Sequence, residues 1–431
     1  MRNILKSNFF IMLILTCVYM SGCSNRNSEL EDVKSRDLTS KIILGVQNID
    51  KSLAEKCVEY DECTLTLSGL DNEEDILVMK KAIQVFEEEY PGIIIEIVEA
   101  PMQDISYIDV NGLYEYVTEE SRFYDLYKEH DVLELGAFGQ EYLNMCTISG
   151  ALQALPVSVT GKIFIFNENI FSKAGIEVPD SLEELLAAGE IFADVLGDDY
   201  YPLAINVKER MELLIYYLQC VYGREWIVNG VLQYNIEELQ EGMEFLIKLE
   251  DCHVIPSLPH MRSSDEFTKD AGWSNGYYAG IFEYDSELKQ YEETAPLGKS
   301  LVISGHFDDL GMFKGGYLKA EAAFAVSSTC TNSREAAIFL NYIFNCEGGM
   351  TVIKDSFGIP LSRNAKAYAE EELLSKLLYD ANDIALDCEF YDSREYMDFI
   401  ENSSLYTDVF IGLSYGDYNI KEAARVFMGN F

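Results

Sequence analysis

Basic residues are scarce in this chain: 32 Lys and Arg stand against 74 Asp and Glu, for a formal charge of −42. A surface of that sign repels phosphate backbones and anionic headgroups, which excludes nucleic acid as a partner. Histidine is scarcer still, with four residues (His130, His253, His260, His306) far apart in sequence. No HExxH, no EF-hand loop and no glycine-rich phosphate loop is present, so the pattern calls for neither a metal nor a nucleotide cofactor. There are ten cysteines but no CxxC pair. Cys63, Cys146, Cys220 and Cys388 read as small buried hydrophobes, and spacing alone fixes no disulfide. Tryptophan occurs twice, at Trp226 and Trp273. Long apolar runs are missing, too. The longest, Phe9 to Met20, falls short of the roughly 20 residues a membrane helix needs.

That short run has a meaning of its own. Arg2 and Lys6 precede it and Ser21-Gly22-Cys23 follow it, the order of a secretory signal. The cysteine after two small residues resembles the lipobox of bacterial lipoproteins. The resemblance implies cleavage before Cys23, a diacylglyceryl group on its sulfur, and an exported chain held on the outer face of the cytoplasmic membrane. Residues 1–22 are then the signal, and 23–62 a polar tether with an apolar helical stripe at Val46, Ile49, Leu53 and Cys57.

A chain of 431 residues has room for two or three domains. Thr64–Ser68 alternates as a strand. An acidic loop, Asp71 to Asp75, leads into a helix with Ile76, Met79, Ile83, Phe86 and Tyr90 on one face, stopped by Pro91-Gly92. Ile93–Val98 reads as a parallel strand buried on both faces. Ser181-x-x-Glu184 predicts a capping box, Asn332 a helix cap, and Ile420, Ala423, Ala424 and Phe427 a last amphipathic helix. Strands alternating with helices make the chain α/β.

The segment Phe86-Glu-Glu-Glu-Tyr-Pro-Gly92 with Ile93–Val98 resembles the opening of the extracellular solute-binding proteins of ABC importers, family 1. Gly150-Ala-Leu-Gln-Ala-Leu-Pro156, Phe166-Asn167, Ile170–Ile176 and Val178-Pro179 continue the likeness in order. So do Tyr222-Gly223, Ser274-Asn-Gly276, Ala336-Ala337 and Gly358-Ile-Pro360. The family implies a two-lobed, maltose-binding-protein-like type II fold with a hinge and an interlobe cleft. It also implies a carbohydrate ligand, ABC permease partners, a monomer and no catalysis. The expected first lobe is 63–158 with 283–324, and the second is 159–282 with 325–431. Hinge strands are expected near Pro156–Ile163, Phe282 and Phe324.

Family positions fall on Asp71 after the first strand, on Asp109 and Asn111, on Thr160 at a crossing, and on Trp226, Trp273, Tyr284 and Tyr317 as rings for stacking. The chain departs from the pattern once. Only Glu99 to Gln103 separate Ile93–Val98 from the next strand, Asp104–Asp109. Parallel neighbours need a crossover of a dozen residues or more. Either the first-lobe sheet is rearranged by the loss of a crossover helix, with the 42–57 stripe as a candidate to cover the vacated face, or one of these two strand readings is wrong.

Two other readings remain. A degenerate member could sense or adhere without feeding a transporter. Gly412-Leu-Ser414-Tyr-Gly416 also fits the nucleophile elbow of serine hydrolases. All four histidines precede Ser414, against that motif's order, so the match reads as a turn near the C-terminus.

Overall fold

The computed structural model describes residues 58–110, 113, 117, 123–261, 271–366 and 376–431, apart from 299, 306, 317 and 391–393. Compact units divide at residue 59, and the unit Tyr60–Phe431 carries everything that follows. The signal, Cys23, the tether and the 42–57 stripe lie outside the described residues.

Strand β1 (Cys63–Ser68) is followed by helix α1 (Glu73–Glu89), β2 (Ile93–Ile97) and β3 (Ile105–Asp109). Asn72 caps α1 by accepting the N–H of Asp75 at 2.7 Å. Glu73 to Asp75 thus form the first helical turn, where the dipole favours acids, and not a loop. Met79, Ala82, Ile83 and Phe86 form its buried face. With β4 (Leu155–Pro156) and β9 (Ala322–Val326), these strands build a five-stranded sheet in the order β2-β1-β3-β9-β4.

The missing crossover is resolved by that order. β2 and β3 are not neighbours; they flank β1, and both run parallel to it. Leu67 pairs with Ile97 on one side and with Ile105 on the other. The chain leaves β2 at the level where β3 begins, so it moves sideways past one strand, roughly 10 Å, and never travels back along the sheet. Seven residues suffice for that. Both strands expected from the sequence exist, and no helix lies between them. The expectation that β2 is covered on both faces fails: Ile93 and Ile95 are buried while Ile94 is 39% exposed. β2 is an edge strand, and no crossover helix lies over its outer face.

Asp104 completes the joint. β3 pairs with β1 only at Ile105 and Ser106, leaving the Thr66 N–H without a strand partner. The Asp104 carboxylate accepts that N–H at 3.0 Å and the Thr66 hydroxyl at 2.8 Å.

The second sheet is built on the long strand β5 (Val159–Asn167), with β6 (Gly280–Tyr284) and β7 (Leu301–Ser304) on either side. The short strand β8 (Leu318–Ala320) pairs with the start of β5. Alternation along β5 sorts its residues between two cores. Phe164 and Phe166 face a helical layer that includes α2 (Val207–Tyr222) and Trp226. Ile163 and Ile165 face Trp273, Tyr278 and Tyr291. Helices α3 (Ser333–Asn345) and α4 (Glu347–Ile353) pack on α1 in the first lobe, where Phe86 meets Phe339 edge-on at 5.0 Å. Helix α5 (Lys376–Leu386) packs on β5, and α6 (Arg394–Asn402) covers part of α2.

The division between lobes therefore differs from the expected one. Strands 301–304 and 318–320 belong to the second sheet, and helices 333–345 and 347–353 to the first. The chain crosses at Val157-Ser158 between β4 and β5, at Glu321 between β8 and β9, and a third time between Ile353 and Lys376. Phe282 is not at a crossing; it lies within β6, paired with Phe164.

Smaller expectations resolve individually. Ser181 accepts the Glu184 N–H, but Glu184 reaches Asp180 instead of Ser181, so the box is incomplete. Asn332 sits at the cap position without a capping bond; its Oδ1 accepts from the Thr331 hydroxyl at 3.0 Å instead. The last helix, Ile420–Met428, buries Ala423, Ala424 and Phe427 as predicted. Ser414 lies in the final turn of the helix Leu405–Tyr415, which Gly416 ends in the left-handed region. The expected turn is thus a helix end, and an elbow's strand–turn–helix geometry is absent there.

Candidate functional site

Two crossings, Val157-Ser158 and Glu321, bring the start of β5 beside β8. Because side chains alternate, Thr160, Lys162 and the residues paired with them, Lys319 and Tyr284, share one face of the second sheet. Beyond Lys162 that face is the aromatic core. Next to the hinge it is charged.

Lys162 is the centre. Its ammonium lies 2.7 Å from Glu283 Oε1 and 2.8 Å from Glu212 Oε2 on α2. Burial pulls the lysine pKa down, but Glu212 and Glu283 outweigh it and hold it well above its ordinary value. The two carboxylates divide unequally. Burial raises both, but at Glu283 the lysine and the Tyr284 N–H prevail and the pKa falls. At Glu212 burial prevails and the pKa rises. Glu209, one turn before, is raised well above the usual range by burial and by Glu283. Glu283 is the carboxylate that holds the charge opposite Lys162.

Tyr284 stacks into this group. Lys162 lies 4.3 Å and Lys319 4.0 Å from its ring centroid, close enough for strong cation–π attraction. Residue Tyr284 is 8% exposed, and its hydroxyl makes no hydrogen bond; neither does Glu212 Oε1, the oxygen that Lys162 does not take. Buried polar atoms without partners cost about 1–3 kcal/mol each, and here they are grouped.

Thr160 donates to Asp285 Oδ1 at 2.6 Å, and Asn382 on α5 donates to Oδ2 at 2.8 Å. Its hydroxyl positions the loop after β6. Ser286 donates to Glu321 at the crossing, 2.7 Å away. On the first-lobe side, Asp109 ends β3 and is exposed, as is Asp71 before α1. Both are at the C-terminal edge of the sheet. Tyr107 is pushed up to about 12 by burial and then by Asp75, Glu321 and Asp109.

Trp226 and Trp273, expected as stacking rings, are core residues at 1% and 0% exposure. Trp226 packs among Tyr234, Phe399 and Phe427, and Trp273 meets Tyr291 edge-on. Neither can reach a ligand without unpacking a core. Asn111 and Tyr317 lie outside the described residues. Lys162, Glu212 and Lys319 were missed from sequence; the one available signal was a lysine inside the apolar strand Val159–Asn167.

No protein-family profile matches the chain. Binding proteins of Brucella abortus and Brucella suis are 28% identical over 91 residues, so the match spans 21% of this chain and 22% of those relatives. Solved structures match far more of it. A periplasmic solute-binding protein from Pectobacterium atrosepticum is 25% identical, with TM-score 0.73 over 85% of this chain and 97% of its own. A family 1 extracellular solute-binding protein from Alicyclobacillus acidocaldarius has TM-score 0.66 at 17% identity, over 86% and 98%. The fold is that of the extracellular solute-binding proteins of family 1. An oligogalacturonide-binding protein from Yersinia enterocolitica is similar too, with 24% identity, coverage of 85% and 98%, and TM-score 0.75. A de novo designed cysteine esterase shares this solute-binding fold at TM-score 0.77 and 24% identity, over 86% and 98%.

Proposed function

We propose that this chain is the lipid-anchored, extracellular substrate-binding subunit of an ABC importer, taking a carbohydrate between its lobes and delivering it to the permease. The observation that carries the reading is the polar group beside the hinge, Lys162, Glu212 and Tyr284, with its buried and unpartnered oxygens in a two-lobed solute-binding fold. A sugar offers hydroxyls that donate and accept together, and an apolar ring face for Tyr284. The lobes close because the ligand touches both only when they are together, so binding shifts an open–closed equilibrium. Asp71, Asp109 and Asn111 supply the first-lobe contacts, Thr160 acts at a crossing, and Tyr317 is a further ring for stacking. Cys23 carries the lipid. The oligogalacturonide-binding relative supports a saccharide as the class of ligand.

Calorimetric titration with a panel of oligosaccharides tests the reading. Tyr284→Phe keeps the ring and deletes the orphan hydroxyl. It is expected to weaken the saccharide that binds by roughly tenfold, the loss of one buried hydrogen bond. The ligand-free protein should be as stable as before or more so. Equal affinity in the variant, or no saccharide bound by the parent, overturns the assignment.

A further inference from the structure

We infer that the solute is a saccharide bearing an amine, and that the site beside the hinge holds its ammonium group; this rests on the saccharide reading above. The argument starts from a charge count. Around the crossings at Val157-Ser158 and Glu321, the second lobe places two ammoniums, Lys162 and Lys319. Against them stand Glu209, Glu212, Glu283, Asp285, Glu287 and Glu321, all within electrostatic reach of one or the other or of each other. Lys162 is already shared by Glu212 and Glu283. Lys319 lies on the Tyr284 ring. The first-lobe wall adds Asp75 and Asp109, both of which act on Tyr107. An anionic ligand would enter against a surplus of carboxylates on both sides.

The orphan atoms independently mark where a cation belongs. Glu212 Oε2 is taken by Lys162, but Glu212 Oε1 and Tyr284 Oη are buried without a hydrogen bond. Both residues border the same ammonium, with Lys162 at 2.8 Å from Glu212 Oε2 and 4.3 Å from the Tyr284 ring centroid. An ammonium has three donors and no acceptor. It can give one to Glu212 and one to the lone pair of Tyr284 Oη, and its charge offsets the surplus that Lys162 leaves. A neutral hydroxyl would meet the hydrogen-bond need and leave the charge uncompensated.

Three trisaccharides of similar length separate charge from shape: the glucosamine trimer, its N-acetylated form, and trigalacturonate. The intact protein is titrated with each by calorimetry, and with spermidine as a cation that is not a sugar. The glucosamine trimer should bind roughly tenfold or more tightly than the N-acetylated trimer, with trigalacturonate weakest. Glu212→Gln should erase most of that preference. Glu321→Gln, at the crossing, should reduce it as well, and serves if Glu212→Gln does not fold. Preference for the neutral or the acidic trimer overturns the ammonium site and leaves the saccharide reading standing. Binding of spermidine with no trimer bound overturns the amine-bearing saccharide through the sugar and not the charge. No binding by any of the four overturns both.

Discussion

Lys162 is a single residue on which two buried carboxylates depend. Removing its charge leaves Glu212 and Glu283 facing each other in a site that excludes water. Breaking a buried pair from one side costs about 3–5 kcal/mol, because the remaining charge is stranded. Lys162→Met should therefore lower the unfolding free energy measured in urea by that amount. Adding Glu212→Gln and Glu283→Gln should restore most of the loss, since a neutral trio strands nothing. If the triple variant is no more stable than the single one, Lys162 acts through packing and not through charge. Little of this was legible beforehand. A lysine in an apolar strand signals a buried partner, but Glu212 lies 50 positions away on a helix, and nothing local couples the two. The tryptophans misled for a related reason. A ring that suits a sugar also suits a core, and only the packing of Tyr234, Phe399 and Phe427 around Trp226 distinguishes them.

At the scale of elements, the joint between β1 and β3 is where this chain departs most from its fold. Gly69 leaves β1 with φ of +87°, and a Cβ there would collide with the Tyr107 carbonyl on β3. Close approach of the two strands depends on that glycine. Gly69→Ala combines left-handed backbone with a backbone clash, and should cost about 1–3 kcal/mol or more. Its effect should be local, exposing the amides of β3 to hydrogen exchange before those of β5. Uniform loss of protection across both lobes would show that the joint is not a separate unit. Existence of β1, α1, β2 and β3 was readable from periodicity and from Pro91-Gly92. Their order was not. The rule that parallel neighbours need a long crossover is sound, but it applies to adjacent strands, and adjacency is a property of the sheet. What looked like a contradiction in five residues was a sideways step past β1, with Asp104 accepting the Thr66 N–H just before β3 begins.

Charge acts on the whole molecule in two ways, and pH separates them. The chain carries −42, and mutual repulsion of that size destabilises the compact state. Exposed charges are screened by salt, with a Debye length of about 3 Å at 1 M. Glu209, Glu212 and Asp285 are buried, so salt leaves them largely untouched. Glu209, Glu212, Asp285, Glu287 and Glu321 have raised pKa values in the folded state. The folded protein binds their protons more tightly than the unfolded chain does, so stability should increase as pH falls through their folded range. Glu283 has the opposite sign. Its lowered pKa stabilises above the unfolded value and that contribution is lost as pH falls through the folded one. The melting temperature should thus climb as pH falls toward the ordinary carboxylate range and drop once it falls below that range. At 1 M salt the surface part of the slope disappears and the buried part remains. Glu212→Gln removes one raised carboxylate and should flatten what is left. Melting curves across this range, at low and high salt, measure both contributions. A slope that vanishes altogether in salt would mean the buried carboxylates contribute nothing, and the whole dependence belongs to the surface.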